Sequence, residues 1–186
     1  NLLNSILESL ERIDYIRPED VPGIDLYMDQ VTTFMDSQLA ASRRYEDDKI
    51  LTKTMINNYA KNNLLPPPEK KKYSKEHMLL LIFIYYFKNI LSINDIQSLL
   101  APLSEKYFHT DHSLQLERIY TEVFSLEKEQ IEVMKKDIIR EYQVSSETFT
   151  DTSEDDKPFL QLFSFICMLS FDVYVKKQVI EKLIDQ

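Results

Sequence analysis

The sequence predicts an all-α protein with, at most, one tiny β-hairpin. Glycine occurs once in 186 residues, too rarely for the tight turns of an ordinary β-rich or α/β fold. Apolar side chains recur at three- and four-residue spacing along most of the chain, and the few strand-like runs are short. An apolar fraction of 44% is near the globular norm, so a sizeable core is expected. The length suits one large domain or two small ones. We expect the division after residue 103, with residues 1–103 as one body and 104–186 as a helical second one.

Leu2, Leu3, Ile6, Leu10 and Ile13 define a first amphipathic helix ending near Tyr15. Arg17 to Gly23 is a loop by its two prolines and the single glycine. Asp25 suits the N-cap of a second helix running to about Arg44, with Met28, Val31, Phe34, Met35 and Leu39 facing inward. Tyr27 and Gln30 lie off that stripe and offer either a contact surface or a helix-end hydrogen bond. After a turn at Tyr45–Lys49, Thr52 or Thr54 caps a third helix whose inward residues are Ile56 and Tyr59.

Leu64-Leu65-Pro66-Pro67-Pro68 must stop that helix, because proline lacks the N–H and restricts the residue before it. The prolines stiffen a short basic segment, Lys70-Lys71-Lys72-Tyr73, in which Tyr73 is expected to pack underneath. Ser74 caps a strongly apolar helix over Met78–Phe87, and Ser92 opens a short one, Ile93–Leu100, ending at Pro102. This is the layout of a winged helix-turn-helix with a very short wing. The second and third helices form its pair, and the third is the presumed reader.

Ser104 to His112 reads as a loop or short helix. From Ser113 to Tyr142 the pattern is helical, with Leu116, Ile119, Val123 and Leu126 at heptad spacing. Ile131, Met134, Ile138 and Tyr142 resume after a shift, either a break near Glu127 or a stutter. Val144–Lys157 is an acidic linker, and Pro158 suits a helix's first turn. Phe159–Phe171 is apolar almost all round, which predicts burial on several sides. The last two helices should form either an antiparallel pair within the chain or a dimer contact.

A net charge of −9 opposes nucleic-acid binding, but its distribution does not. Between Leu51 and Met78 there are six lysines (Lys53, Lys61, Lys70, Lys71, Lys72, Lys75) and two acids (Glu69, Glu76). An acidic body with a local basic patch can still dock on DNA. Lys53, Asn57, Asn58 and Lys61 fall on the outward side of the third helix. Asparagine can pair bidentately with adenine, and lysine can contact phosphate or guanine. The same residues also make an ordinary solvated surface.

Tyr59-Ala60-Lys61-Asn62-Asn63-Leu64-Leu65-Pro66, then Lys71-Lys72-Tyr73-Ser74 and Leu91-Ser92-Ile93-Asn94-Asp95-Ile96 resemble the DNA-binding domain of MerR-type transcriptional regulators. More closely, Asp25 to Leu103 is similar to an uncharacterised bacterial domain family on that plan, marked by Asp25-Leu26-Tyr27-Met28-Asp29-Gln30-Val31. The resemblance implies a fold, duplex DNA as partner through Lys53, Asn57, Asn58, Lys61, Lys70, Lys71 and Lys72, and a homodimer through the C-terminal helices. Asn57 stands where those proteins usually carry arginine, and the wing is several residues shorter; both remove phosphate contacts. Asn63 replaces a glycine, a tolerable exchange because asparagine visits the left-handed conformation of a helix C′ position.

The leading expectation is therefore a cytoplasmic DNA-binding transcriptional regulator, and the alternative is a protein-interaction adaptor on the same scaffold. No phosphate loop, nucleophile elbow or metal motif suggests an enzyme, and no cofactor is expected. His109 and His112 flank Asp111 but lack further ligands at recognisable spacing. Cys167 lies in an apolar run as a structural residue. Met78–Phe87 and Phe159–Phe171 are too short to span ~30 Å of hydrocarbon, so no membrane is expected.

Overall fold

A computed structural model describes residues 1–186. It is mostly helical, with one two-stranded sheet. The chain divides into two compact units, Ile16–Val123 and a second made of Asn1–Tyr15 with Phe124–Gln186. The expected division after residue 103 is thus corrected. That position lies inside a helix, α5 (Ile93–Tyr107), which runs through Pro102. A proline there forfeits one hydrogen bond to the carbonyl of Ser98, and Ser98 is exposed, so water can satisfy that group.

In the unit Ile16–Val123, β1 (Leu26–Tyr27) leads directly into α2 (Met28–Leu39). Asp25 is not the cap. The Tyr27 N–H instead donates to Gln30 Oε1 at 2.9 Å, the helix-end alternative for Gln30. Val31, Met35 and Leu39 are buried, while Met28 and Phe34 are half-buried. The helix stops at Leu39, not Arg44, where Ser42 Oγ donates to the Leu39 carbonyl at 2.6 Å and a 3₁₀ turn begins at Ala40. The connection to α3 (Lys53–Lys61) therefore spans Ala40 to Thr52, much longer than the roughly 3–4-residue turn of a simple helix-turn-helix.

Thr52 caps α3 by accepting the Met55 N–H at 3.1 Å. Ile56 and Tyr59 are its buried residues. At the other end Asn63 is left-handed (φ 59°). The Leu64 N–H reaches Tyr59 O at 2.9 Å and the Asn63 N–H reaches Ala60 O at 3.3 Å, the paired bonds of a Schellman stop. Leu64 and Leu65 then enter the core.

α4 (Lys75–Phe87) is the centre of this unit, with every residue from His77 to Ile84 buried. It has no solvent face to speak of, which explains its unbroken apolar run. α6 (Leu116–Phe124) closes the unit by burying Leu116 and Tyr120. The Tyr120 hydroxyl donates to Ile16 O at 2.6 Å and its ring meets Phe83 edge-on at 5.5 Å. The residues of α6 buried in this unit are therefore Leu116 and Tyr120; Val123 and Leu126, expected inward, are 48% and 64% exposed.

The second unit holds α1 (Leu2–Glu11), α7 (Leu126–Ser146) and α8 (Lys157–Ile184). α1 ends four residues before Tyr15. Lys135 of α7 bridges Glu11 and Glu132, each at 3.0 Å. The shift is a break, as one alternative had it near Glu127, and falls at Ser125 between α6 and α7. α7 and α8 pair antiparallel: Tyr142 meets the Phe165 ring, Ser145 meets Met168 Sδ, and Thr148 meets Ser164. Pro158 does sit in the first turn of α8. The expected burial of Phe159–Phe171 is overturned, since Phe165 alone is buried in α8. A single partner helix covers only one side of an all-round apolar cylinder. By length and composition α8 is able to cross a membrane, because the apolar run continues past Phe171.

Candidate nucleic-acid interface

The basic segment folds as a two-residue hairpin turn. The Lys72 N–H donates to Glu69 O at 2.9 Å and the Glu69 N–H to Lys72 O at 3.1 Å. Lys70 and Lys71, the two central residues, both have positive φ (50° and 65°). Such turns are ordinarily Asn-Gly or Gly-Gly, because a Cβ in that region is strained by roughly 1 kcal/mol or more. Both lysines are exposed. The following strand, β2 (Lys72–Tyr73), pairs antiparallel with β1, Leu26 against Tyr73 and Tyr27 against Lys72. The segment expected as a wing is thus a turn plus a strand borrowed from before α2, not a free-standing hairpin.

That pairing brings the predicted residues together through two that were not in the predicted set. Lys72 is half-buried and lays its ammonium over the Tyr27 ring, 5.0 Å from the centroid. Two residues on, Asp29 forms an ion pair with Lys53 at the start of α3. The strip therefore runs from Lys70 and Lys71 through Lys72 and Tyr27 to Asp29 and Lys53. Tyr27 is 53% exposed. Asp29 places a carboxylate in the middle of the cations, which periodicity alone gave no means of seeing.

Along α3, Asn57, Asn58 and Lys61 are exposed. Lys61, Lys70 and Lys71 make no ion pair, whereas Lys53 is held by Asp29 and Lys75 approaches Glu117 at 3.5 Å. Asn58 also borders an open cleft of about 300 Å³ with Met55, Tyr59, Lys88, Asn89 and Ile93. A second open cleft, of about 350 Å³, lies on α2 between Pro22, Leu26 and Phe34.

The turn is anchored from behind by His77. Nδ1 accepts the Ser74 N–H at 2.9 Å, so Nε2 carries the proton and donates to Pro67 O at 3.2 Å. The ring is boxed by Tyr73, Phe108 and His109 at 5.4, 4.8 and 5.7 Å. Burial lowers its pKa; the bond to Pro67 opposes that, and the neighbouring His109 adds to it. Tyr73 is buried beneath the turn as expected, and burial raises its phenol pKa. His109 and His112 turn apart. His109 N–H donates to Glu76 at 2.6 Å and its ring meets Ser74 Oγ at 2.9 Å. His112 Nδ1 accepts the Leu114 N–H at 3.0 Å and packs on Tyr107.

Taken together this unit is a helical domain that presents a strained lysine turn beside an amphipathic helix. Residues 16–123 match the family described as Domain of unknown function (DUF1836), and the chain belongs to that family. No curated protein and no solved structure matches the chain.

Proposed function

We propose that this chain is a DNA-binding transcriptional regulator of MerR-like winged helix-turn-helix type. In this reading α3 faces a major groove, with Asn57 and Asn58 toward base edges, and the Lys70–Lys71 turn lies on the flanking backbone. The observation that most supports it is that turn. Two exposed lysines without ion pairs occupy backbone conformations that cost folding energy, and strain of this kind concentrates at functional sites. A homodimer would set two α3 helices about one helical turn, ~34–36 Å, apart.

Fluorescence anisotropy with duplex DNA across a salt series tests the reading. Lys70→Ala/Lys71→Ala removes two phosphate contacts and should flatten the log K against log salt slope by about 2, roughly 0.9 per contact. Asn57→Ala should change sequence preference instead. Wild type that shifts no fragment of a genomic library at low salt refutes the proposal. An adaptor role is the second reading, supported by the Asp29–Lys53 pair and the net charge of −9. One stoichiometric protein partner carrying no nucleic acid would decide for it.

A further inference from the structure

Two open clefts in the unit Ile16–Val123 differ in what their polar side chains are doing. In the cleft on α2, Asp29 holds Lys53, Gln30 accepts the Tyr27 N–H and Thr33 Oγ1 donates to Asp29 O at 2.8 Å. Those groups are engaged by the fold. In the cleft beside α3, no hydrogen bond or ion pair within the chain takes up the side chains of Asn58, Tyr59, Lys88 or Asn89. The Lys88 ammonium only rests 5.5 Å from the Tyr85 ring centroid. Tyr59 is 8% exposed, and a hydroxyl on so buried a side chain ordinarily has a partner.

The walls define the chemistry of a missing partner. Ile93, Ile96 and Leu100 share one face of α5. Ile96 and Leu100 are buried, whereas Ile93, at the outer end of that stripe, is 50% exposed. The apolar stripe therefore runs out of the core into the cleft, where Leu64 and Leu91 complete the floor. Lys88 is the one charged residue of the lining. The acid nearest in sequence, Asp95, lies outside it, in the first turn of α5. Burial raises the Tyr59 phenol pKa, so at neutral pH its O–H is present to donate. The cleft thus offers an apolar floor, an ammonium, a phenol and two amides, and no carboxylate. Its volume of about 300 Å³ equals about ten waters at ≈ 30 Å³ each, room for an organic molecule on the order of ten non-hydrogen atoms.

We infer that this cleft is a binding site for a small organic carboxylate, its hydrocarbon part against Leu64, Leu91 and Ile96 and its oxygens toward Lys88, Tyr59 and Asn89. A carboxylate accepts from all three, and a charged acceptor makes the stronger hydrogen bonds. A neutral molecule of the same shape leaves Lys88 without a counter-charge, and a cation meets Lys88 as a like charge. The site needs no nucleic acid and no second subunit, so it stands independently of the nucleic-acid reading.

Titration of sodium octanoate into the full chain without DNA tests it, read by calorimetry and by the Asn58 and Asn89 side-chain amide signals of ¹⁵N-labelled protein. Octanamide and octylamine serve as neutral and cationic controls. Octanoate should shift both amide pairs and bind about 10-fold tighter than octanamide, the difference between a charged and a neutral acceptor. Octylamine should leave the signals unmoved. Tyr59→Phe deletes one hydrogen bond to a charged group and should weaken octanoate about 10-fold. Lys88→Glu should weaken it about 10-fold at low salt and less at high salt. Ile93→Asp, an exchange the first turn of a helix favours, should abolish binding with unchanged far-UV ellipticity. Octanoate held no more tightly than octanamide overturns the inference, as does binding that the three substitutions leave unchanged. Shifts confined to α8, with Asn58 and Asn89 silent, overturn it in favour of adsorption on that exposed helix.

Discussion

Glu141→Gln should remove a pH dependence from the α7–α8 hairpin. Glu141 is 2% exposed, and its Oε2 has no hydrogen-bond partner. Burial raises its pKa first, the hydrogen bond to Asp172 next and the charge of Asp172 after that; the Arg140 guanidinium, 3.8 Å away, opposes them. The result is a carboxyl group raised to about 7. Such a group is protonated in the fold where the unfolded chain has already ionised. Its contribution is fully present below about pH 4.5 and is lost as pH rises through 7. At about 1.4 kcal/mol per unit the ceiling is ~3 kcal/mol. Only one layer of helices covers the group and Arg140 is exposed, so screening reduces this to on the order of 1–2 kcal/mol. Glutamine keeps the volume and a donor for Asp172 but cannot ionise. Urea unfolding followed by far-UV ellipticity, with hydrogen exchange of α7 and α8 peptides, should show the variant gaining on wild type between pH 5 and 8. Wild-type and variant curves that stay parallel across that range refute the reasoning.

Unit Ile16–Val123 should respond in the opposite sense. His77 is held neutral, so its contribution is present above about pH 6.5 and is lost as pH falls below it; exchange protection of Tyr73–Met78 should drop from pH 7 to 5, and less so in His77→Gln. Lys70→Asn/Lys71→Gly relieves two strained residues and should raise the melting free energy by about 1–2 kcal/mol while lowering duplex affinity; a melt that is unchanged or lower refutes the strain argument. Asp29→Asn frees Lys53 and should tighten duplex binding several-fold at low salt, with the gain fading as salt rises. Thr52→Ala removes the α3 cap and should cost about 1 kcal/mol in the same urea titration.

The local signals in this sequence determined its helices, caps and stops. Thr52, Ser74 and Ser92 cap where a hydroxyl precedes an apolar run, and Asn63 ends α3 because it tolerates a positive φ. Those effects reach only a few residues, so a sequence window contains them. Interactions across longer separations were decided by tertiary structure. Strand Leu26–Tyr27 pairs with Lys72–Tyr73, Asp29 takes Lys53, and Ile16 receives Tyr120. The same holds for α8: its composition fixed that it is apolar on every side, but only the packing decided that α7 covers one side and leaves the rest bare. Hydrophobicity sets how much surface a helix must hide, and carries no direction that names the partner.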